Sequence, residues 1–111
     1  MQASTTLILQ AMQRVVAEIP AGRVMSYGAV ARAAGFPRHV RLVARALACA
    51  PSPLPWFRVL NARGSIPVRG LTGDEALQRL LLEEEGIAFD QNGRLDMRAL
   101  AWAPDEQPHG D

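Results

Sequence analysis

Residues 26–47 read Ser26-Tyr-Gly-Ala-Val-Ala-Arg-Ala-Ala-Gly35-Phe-Pro37-Arg38-His-Val-Arg41-Leu-Val-Ala-Arg45-Ala-Leu47. Ser26 can N-cap a helix running through Ala34, because its hydroxyl accepts from a first-turn amide that has no partner within the helix. Gly35 closes that helix where a left-handed residue is needed. Pro37, whose fixed φ suits a first helical turn, opens a further helix to about Leu47. Two short helices joined by Ala34-Gly35-Phe36-Pro37 have the form of a helix-turn-helix, and the rest of the chain is read around it.

The second of these helices separates its residues by face. Val40, Val43, Ala44 and Leu47 form an apolar stripe, and Arg38, Arg41 and Arg45 form a basic one. Three like charges at helical spacing repel one another, so an anion laid against them stabilises the helix. A merely solubilising face would mix in acids one turn away, and this one has none, which favours a nucleic-acid surface.

Upstream, Leu7, Ile8, Ala11, Met12, Val15, Val16 and Ile19 recur at the spacing of an amphipathic helix that Pro20 stops, followed by an extended Arg23-Val24-Met25. Downstream, Pro51-Ser-Pro53-Leu-Pro55 can be neither helix nor central strand, so it is a stiff loop that delivers Trp56 and Phe57 to a defined place. Val59-Leu60 and Ser65-Ile66 around Asn61-Ala62-Arg63-Gly64 predict a hairpin, which beside a helix-turn-helix would be a wing. Thr72 and Glu75 have capping-box spacing before Ala76, Leu77, Leu80 and Leu81 on one helical face, with Gly86 at the end. Ile87-Ala88-Phe89 and Arg94-Leu95-Asp96 around Asn92-Gly93 predict a last hairpin. The expected architecture is therefore mainly α with small β-hairpins, a winged helix-turn-helix in a single domain over residues 1–103, with residues 104–111 as a loose tail.

The 111 residues suffice for one core but not for a second folding unit. No apolar run approaches the roughly 20 residues of a membrane span. Residues 1–13 lack a basic start and a continuous apolar segment, so no signal peptide is expected; the expected compartment is the cytoplasm, with the chain nucleoid-associated when bound to DNA. One cysteine, Cys49, and two histidines offer neither a disulfide nor a zinc constellation, and no metal or cofactor is expected. All twelve basic residues are arginine, and residues 1–73 hold nine of them against Glu18 alone, a net of +8; residues 74–111 hold three against ten acids, a net of −7. That asymmetry fits a polyanion held by the first two thirds, and it fits equally a set of solvated faces that pair with each other on folding.

Several ordered motifs add a resemblance. Ile19-Pro-Ala-Gly-Arg-Val-Met-Ser-Tyr27-Gly-Ala-Val-Ala31, Ala34-Gly-Phe-Pro37, Val40-Arg41-Leu-Val43-Ala-Arg-Ala-Leu47, Pro55-Trp56-Phe-Arg58-Val59-Leu-Asn61 and Glu84-Glu85-Gly86-Ile87 together resemble the DNA-binding domain of the O6-alkylguanine-DNA alkyltransferases. The match covers residues 5–102. It is closer to the alkyltransferase-like proteins, which lack the enzymes' N-terminal domain and commonly carry tryptophan at the acceptor position. Phe89-Asp-Gln-Asn-Gly-Arg-Leu-Asp96 and Trp102-Ala-Pro104 also look like that subgroup.

In the enzymes a Pro-Cys-His-Arg-Val motif supplies the thiolate that takes the alkyl group, with the histidine and a distant glutamate assisting deprotonation. This chain has Trp56 and Phe57 at those two positions, so the resemblance implies that it is not an enzyme: an indole offers an N–H and an apolar face but no nucleophile. Glu85 matches the relay glutamate, and without its partners its expected role is structural. Cys49, with no histidine near it in sequence, is expected to be a small buried core residue.

The resemblance further implies that Tyr27 helps rotate the target nucleotide, although it could serve only as a core aromatic. Arg41 would enter the base stack, or else simply contact a phosphate. Arg38 and Arg45 would hold the backbone, and Ala44 would sit close to a minor groove. Tyr27, Trp56, Arg58, Val59 and Arg69 would form the lesion pocket, while the family's binding-loop asparagine is replaced by Ala50. The expected function is a non-enzymatic sensor, monomeric, that binds O6-alkylguanine in double-stranded DNA by nucleotide flipping and directs it to nucleotide excision repair proteins of the UvrA type. Two alternatives stand beside it: a winged-helix DNA-binding protein without lesion selectivity, and a residual alkyltransferase using Cys49.

Overall fold

The computed structural model describes residues 4–67 and 74–104. Among the described residues five helices, α1 (Thr5–Ala17), α2 (Tyr27–Ala33), α3 (Arg41–Ala48), α4 (Asp74–Glu84) and α5 (Met97–Leu100), are joined by 3-10 turns at Pro37–His39 and Trp56–Arg58 and by two short strands, β1 (Met25–Ser26) and β2 (Val59–Leu60). The architecture is thus mainly helical, as expected, and its one sheet among the described residues is a two-stranded parallel pair. No helix among the described residues is long and apolar enough to cross a membrane.

Capping explains the helix-turn-helix. The Ser26 hydroxyl accepts from the Ala29 amide at 3.1 Å and starts α2, and Gly35 follows its end at φ +92°. The helix expected from Pro37 is divided, with 3-10 geometry over Pro37–His39 and α3 from Arg41. In α3 the buried residues are Val43 and Ala46; Ala44 is exposed and Val40 is 38% exposed, so the apolar stripe is rotated from the one expected. In α1, Ile8, Leu9, Met12 and Val16 face inward, whereas Leu7 lies at the edge of the stripe and is exposed.

The strands pair in parallel, Met25 with Val59 and Ser26 with Leu60. The expected ladder between Val59-Leu60 and Ser65-Ile66 is therefore not the one formed. Val59 and Leu60 are both fully buried, and β1 supplies their backbone partners inside the core. Asn61 instead folds a tight turn, its Oδ1 accepting from the amides of Arg63 and Ser65, each at 3.1 Å, and from the Ser65 hydroxyl at 3.0 Å. The turn at Asn92-Gly93 also forms, Asp90 Oδ1 accepting from the amides of Asn92 and Arg94. The two turns then pair with each other, Ser65 with Arg94, and the Leu95 amide donates to the Gly64 carbonyl at 2.9 Å. A Cβ at Gly64 would stand 2.5 Å from the Leu95 carbonyl oxygen, and φ there is +84°, so this meeting requires glycine.

The sheet divides the interior. Successive strand residues point to opposite sides. Met25 and Val59 face a core built on α1, α2 and α3 that includes Trp102, while Val24 and Leu60 face a second one with Leu82, Ile87 and Leu95. The Trp102 amide donates to the Val24 carbonyl at 2.8 Å, and Arg23 Nε donates to the Leu100 carbonyl at 3.0 Å, which ties the end of the described chain to β1. Helix α5, unforeseen in the sequence, is capped by Asp96, whose carboxylate accepts from the Arg98 amide at 3.0 Å.

Helix α4 is turned relative to expectation. It buries Gln78 and Leu82, and Leu77 and Leu80 are 46% and 51% exposed. Gln78 Nε2 donates to the carbonyls of Phe57 at 3.1 Å and Val59 at 2.9 Å, and these bonds set the helix's rotation. Thr72, the other half of the expected capping box, lies outside the described residues.

Candidate nucleic-acid interface

Arg38 on the first 3-10 turn and Arg41 and Arg45 on α3 are all exposed. Ala44, one turn from Arg41 and adjacent to Arg45, leaves the surface between them shallow, which lets a polynucleotide backbone approach. Ala44 also lines a cavity of about 470 Å³, whose other lining residues among the described ones are Tyr27, Leu47, Ala48, Trp56 and Asp74. That volume is in the range of small-molecule sites.

Four separate elements meet there, α2, α3, the second 3-10 turn and the start of α4. Tyr27 opens α2 beside its Ser26 cap and packs half-buried against the first core. Ala44 comes from α3. Trp56 begins the second 3-10 turn, which is fixed from several directions: the Arg58 amide donates to the Pro55 carbonyl at 3.0 Å, and the Phe57 carbonyl is held by Gln78. On the far side of Trp56 a second cavity of about 390 Å³ opens against Pro51, Pro53 and Leu54 of the stiff loop, with Ala50 on its wall. Trp56 thus stands between two cavities.

Arg58 and Val59 are placed elsewhere than expected. Val59 is fully buried in the first core. Arg58 turns away from the cavity, donating through Nε to both carboxylate oxygens of Glu85 at 3.0 and 3.1 Å and through Nη1 to the Ile19 carbonyl at 2.9 Å. Glu85 also accepts from the Gly22 amide at 2.9 Å, which gives it a structural role. Partial burial by itself would raise the Glu85 carboxyl, but the hydrogen bonds from Arg58 and Gly22, with the Arg58 charge, outweigh it and hold the group below its ordinary value.

Phe57 packs against the second core and meets Trp56 edge-on, ring centroids 5.9 Å apart. Cys49 corrects a further expectation, for it is exposed. It caps α3 where the helix gives way to the proline loop, and its sulfur accepts from Gln13 Nε2 at 3.7 Å; an amide cannot take a proton from a thiol. Asp74, which the sequence reading missed, brings a carboxylate to the cavity from the start of α4, and no local signal in the sequence points to that placement. Arg69 lies outside the described residues.

The family described as the 6-O-methylguanine DNA methyltransferase, DNA binding domain, matches residues 8–87. A DNA base-flipping protein of Vibrio parahaemolyticus is 41% identical over 92 residues, covering 81% of this chain and 90% of that one. Alkyltransferase-like protein 1 of Schizosaccharomyces pombe is 37% identical over 95 residues, covering 80% and 88%. Among solved structures, S. pombe Atl1 in complex with damaged DNA containing O6-carboxymethylguanine superposes with a TM-score of 0.76 at 32% identity, over 93% of this chain and all of that one. Mycobacterium tuberculosis O6-methylguanine methyltransferase gives 0.54 at 28% identity, and this chain spans half of its length. The motifs, the fold and these relatives agree, and the chain belongs to the DNA-binding-domain family of the 6-O-methylguanine DNA methyltransferases, on its alkyltransferase-like side.

Proposed function

We propose that this chain is a non-enzymatic sensor that binds duplex DNA containing O6-alkylguanine, extrudes the modified nucleotide and holds it for nucleotide excision repair proteins of the UvrA type. The observation that carries this reading is the cavity in which Tyr27, Ala44 and Trp56 meet, lined in part by α3, the helix that also exposes Arg41 and Arg45. Flipping a nucleotide costs a few kcal/mol of stacking and pairing. Arg41, entering the stack, recovers part of that cost with a guanidinium plane, and Arg38 and Arg45 hold the phosphates. Tyr27 steers the rotating nucleotide. Trp56 packs on the O6-alkyl group, and Asp74 offers an acceptor of the kind the guanine amine requires. Arg58 and Val59 serve from behind by holding the backbone that presents Trp56, and the resemblance assigns to Arg69 stacking on the base or a hydrogen bond to it.

Transfer chemistry is not part of this reading. Trp56 has no nucleophile to offer, and the amide beside Cys49 is no base. A protein acting as a monomer needs only the one site. The experiment is a titration of matched duplexes carrying O6-methylguanine or guanine, followed by mass spectrometry of the protein. Tighter binding to the lesion with unchanged protein mass is expected; equal affinities would leave a plain winged-helix binder, and a methyl adduct on Cys49 would leave a transferase.

A further inference from the structure

The outer face of α4 carries apolar surface that the fold does not use. Leu77 and Leu80, one helical turn apart, are 46% and 51% exposed, and Glu83 and Glu84 stand exposed just beyond them. Ala76 lies one turn before Leu80 and continues the surface into a cavity of about 390 Å³ between α4 and the paired turns, where Glu75, Arg79, Phe89 and Asn92 contribute to the wall. Arg79 is already engaged there, its guanidinium 4.7 Å from the centre of the Phe89 ring and donating to Glu83 at 3.1 Å. Glu75 is not so served. Its Oε2 is buried and has no hydrogen-bond partner among the described residues. A carboxylate oxygen withdrawn from water without a donor costs free energy that a cationic group entering the cavity would return.

We propose that this face of α4 is a docking surface for a basic protein segment, whose apolar side chains cover Leu77 and Leu80 and whose lysine or arginine head enters the cavity to meet Glu75. Charge selects the partner class. Helix α4 itself holds Asp74, Glu75, Glu83 and Glu84 against Arg79, a net of 1 − 4 = −3, which repels nucleic acid and anionic lipid and attracts a cationic polypeptide. The surface lies on α4, whereas the arginine face lies on α3 and the turn before it, so the proposal does not depend on what the cavity at Trp56 holds.

The test uses the full chain, labelled with nitrogen-15, and a short amphipathic helical peptide of leucine and lysine, with a leucine and glutamate peptide of equal length as its counterpart. Amide shifts on addition of the lysine peptide should gather on α4 and around Phe89 and Asn92, and the glutamate peptide should leave the spectrum unmoved. Leu77→Ser combined with Leu80→Ser should weaken binding at least several-fold, and so should Glu75→Gln, with melting temperatures confirming that both variants are folded. Shifts gathered on α3 or on the Trp56 cavity, equal response to the two peptides, or affinity indifferent to both variants would overturn the proposal.

Discussion

Arg58 and Glu85 form their ion pair behind the Trp56 turn, between the end of α4 and the Ile19 carbonyl, and not in the cavity that Trp56 faces. An arginine that the motif places beside the working position is therefore part of the frame. Both side chains are about 15% exposed, so solvent screens the pair only partly.

Glu85→Gln should lower stability at neutral pH by about 1–3 kcal/mol, since it leaves the Arg58 charge underserved in a partly buried place. The pH dependence has a fixed sign. The folded carboxyl is held below its ordinary value of about 4.5, so its contribution is complete above that pH and is lost as pH falls through the lower folded value. Urea titrations of both proteins at pH 7 and near pH 3 should show the gap closing in acid. A gap that persists unchanged would mean the ionised pair contributes nothing.

Gln78→Leu keeps the volume and removes the donor. The carbonyls of Phe57 and Val59 would then lose the bonds that orient the Trp56 turn. A loss of about 1–3 kcal/mol in unfolding free energy is expected, together with a shift in tryptophan fluorescence. An unaltered melting temperature would show that these carbonyls find other partners.

These two residues also mark the boundary of what the sequence discloses. Ser26, Gly35 and Gly86 announce helix ends through local chemistry, and helical spacing anticipates the exposure of Arg41 and Arg45 on α3, with Arg38 exposed on the 3-10 turn before it. Gln78 does not announce itself, because a polar residue on a helix reads as outward-facing until the carbonyls it serves are known. The parallel pairing of Met25 with Val59 is likewise hidden, since its partners are distant in sequence and each strand is only two residues long. Asp96 did carry a legible N-cap signal for α5, masked by its place in an apparent hairpin. Cys49 shows the opposite error: residue type suggested burial, but its position after the last turn of α3 exposes it.

Trp56→Ala should reduce affinity for an O6-methylguanine duplex while leaving affinity for unmodified duplex nearly unchanged. Loss of an aromatic wall is worth about 1 kcal/mol or more, a several-fold fall in the lesion-to-normal ratio. Fluorescence anisotropy on the folded variant measures it. A constant ratio would assign Trp56 to packing alone.

Arg41→Ala should weaken binding to both duplexes by about 1–3 kcal/mol, because a guanidinium in the base stack does not depend on which base has left it. Arg38→Ala or Arg45→Ala should instead act through counterion release, reducing the steepness of the salt dependence by roughly one phosphate. Titrations across a salt series separate the two effects, and a slope indifferent to Arg38 and Arg45 would turn that face away from DNA.

Gln78 grips carbonyls of the main chain at Phe57 and Val59, and Arg58 reaches back to Glu85 and Ile19; these attachments run through the residues that follow position 56. A platform fixed in that way can accept a different side chain at its working position and still present it at the same place. On the proposed reading, an indole can therefore stand where the enzymes that this chain resembles carry a thiol, without the structure that aims it having to be rebuilt.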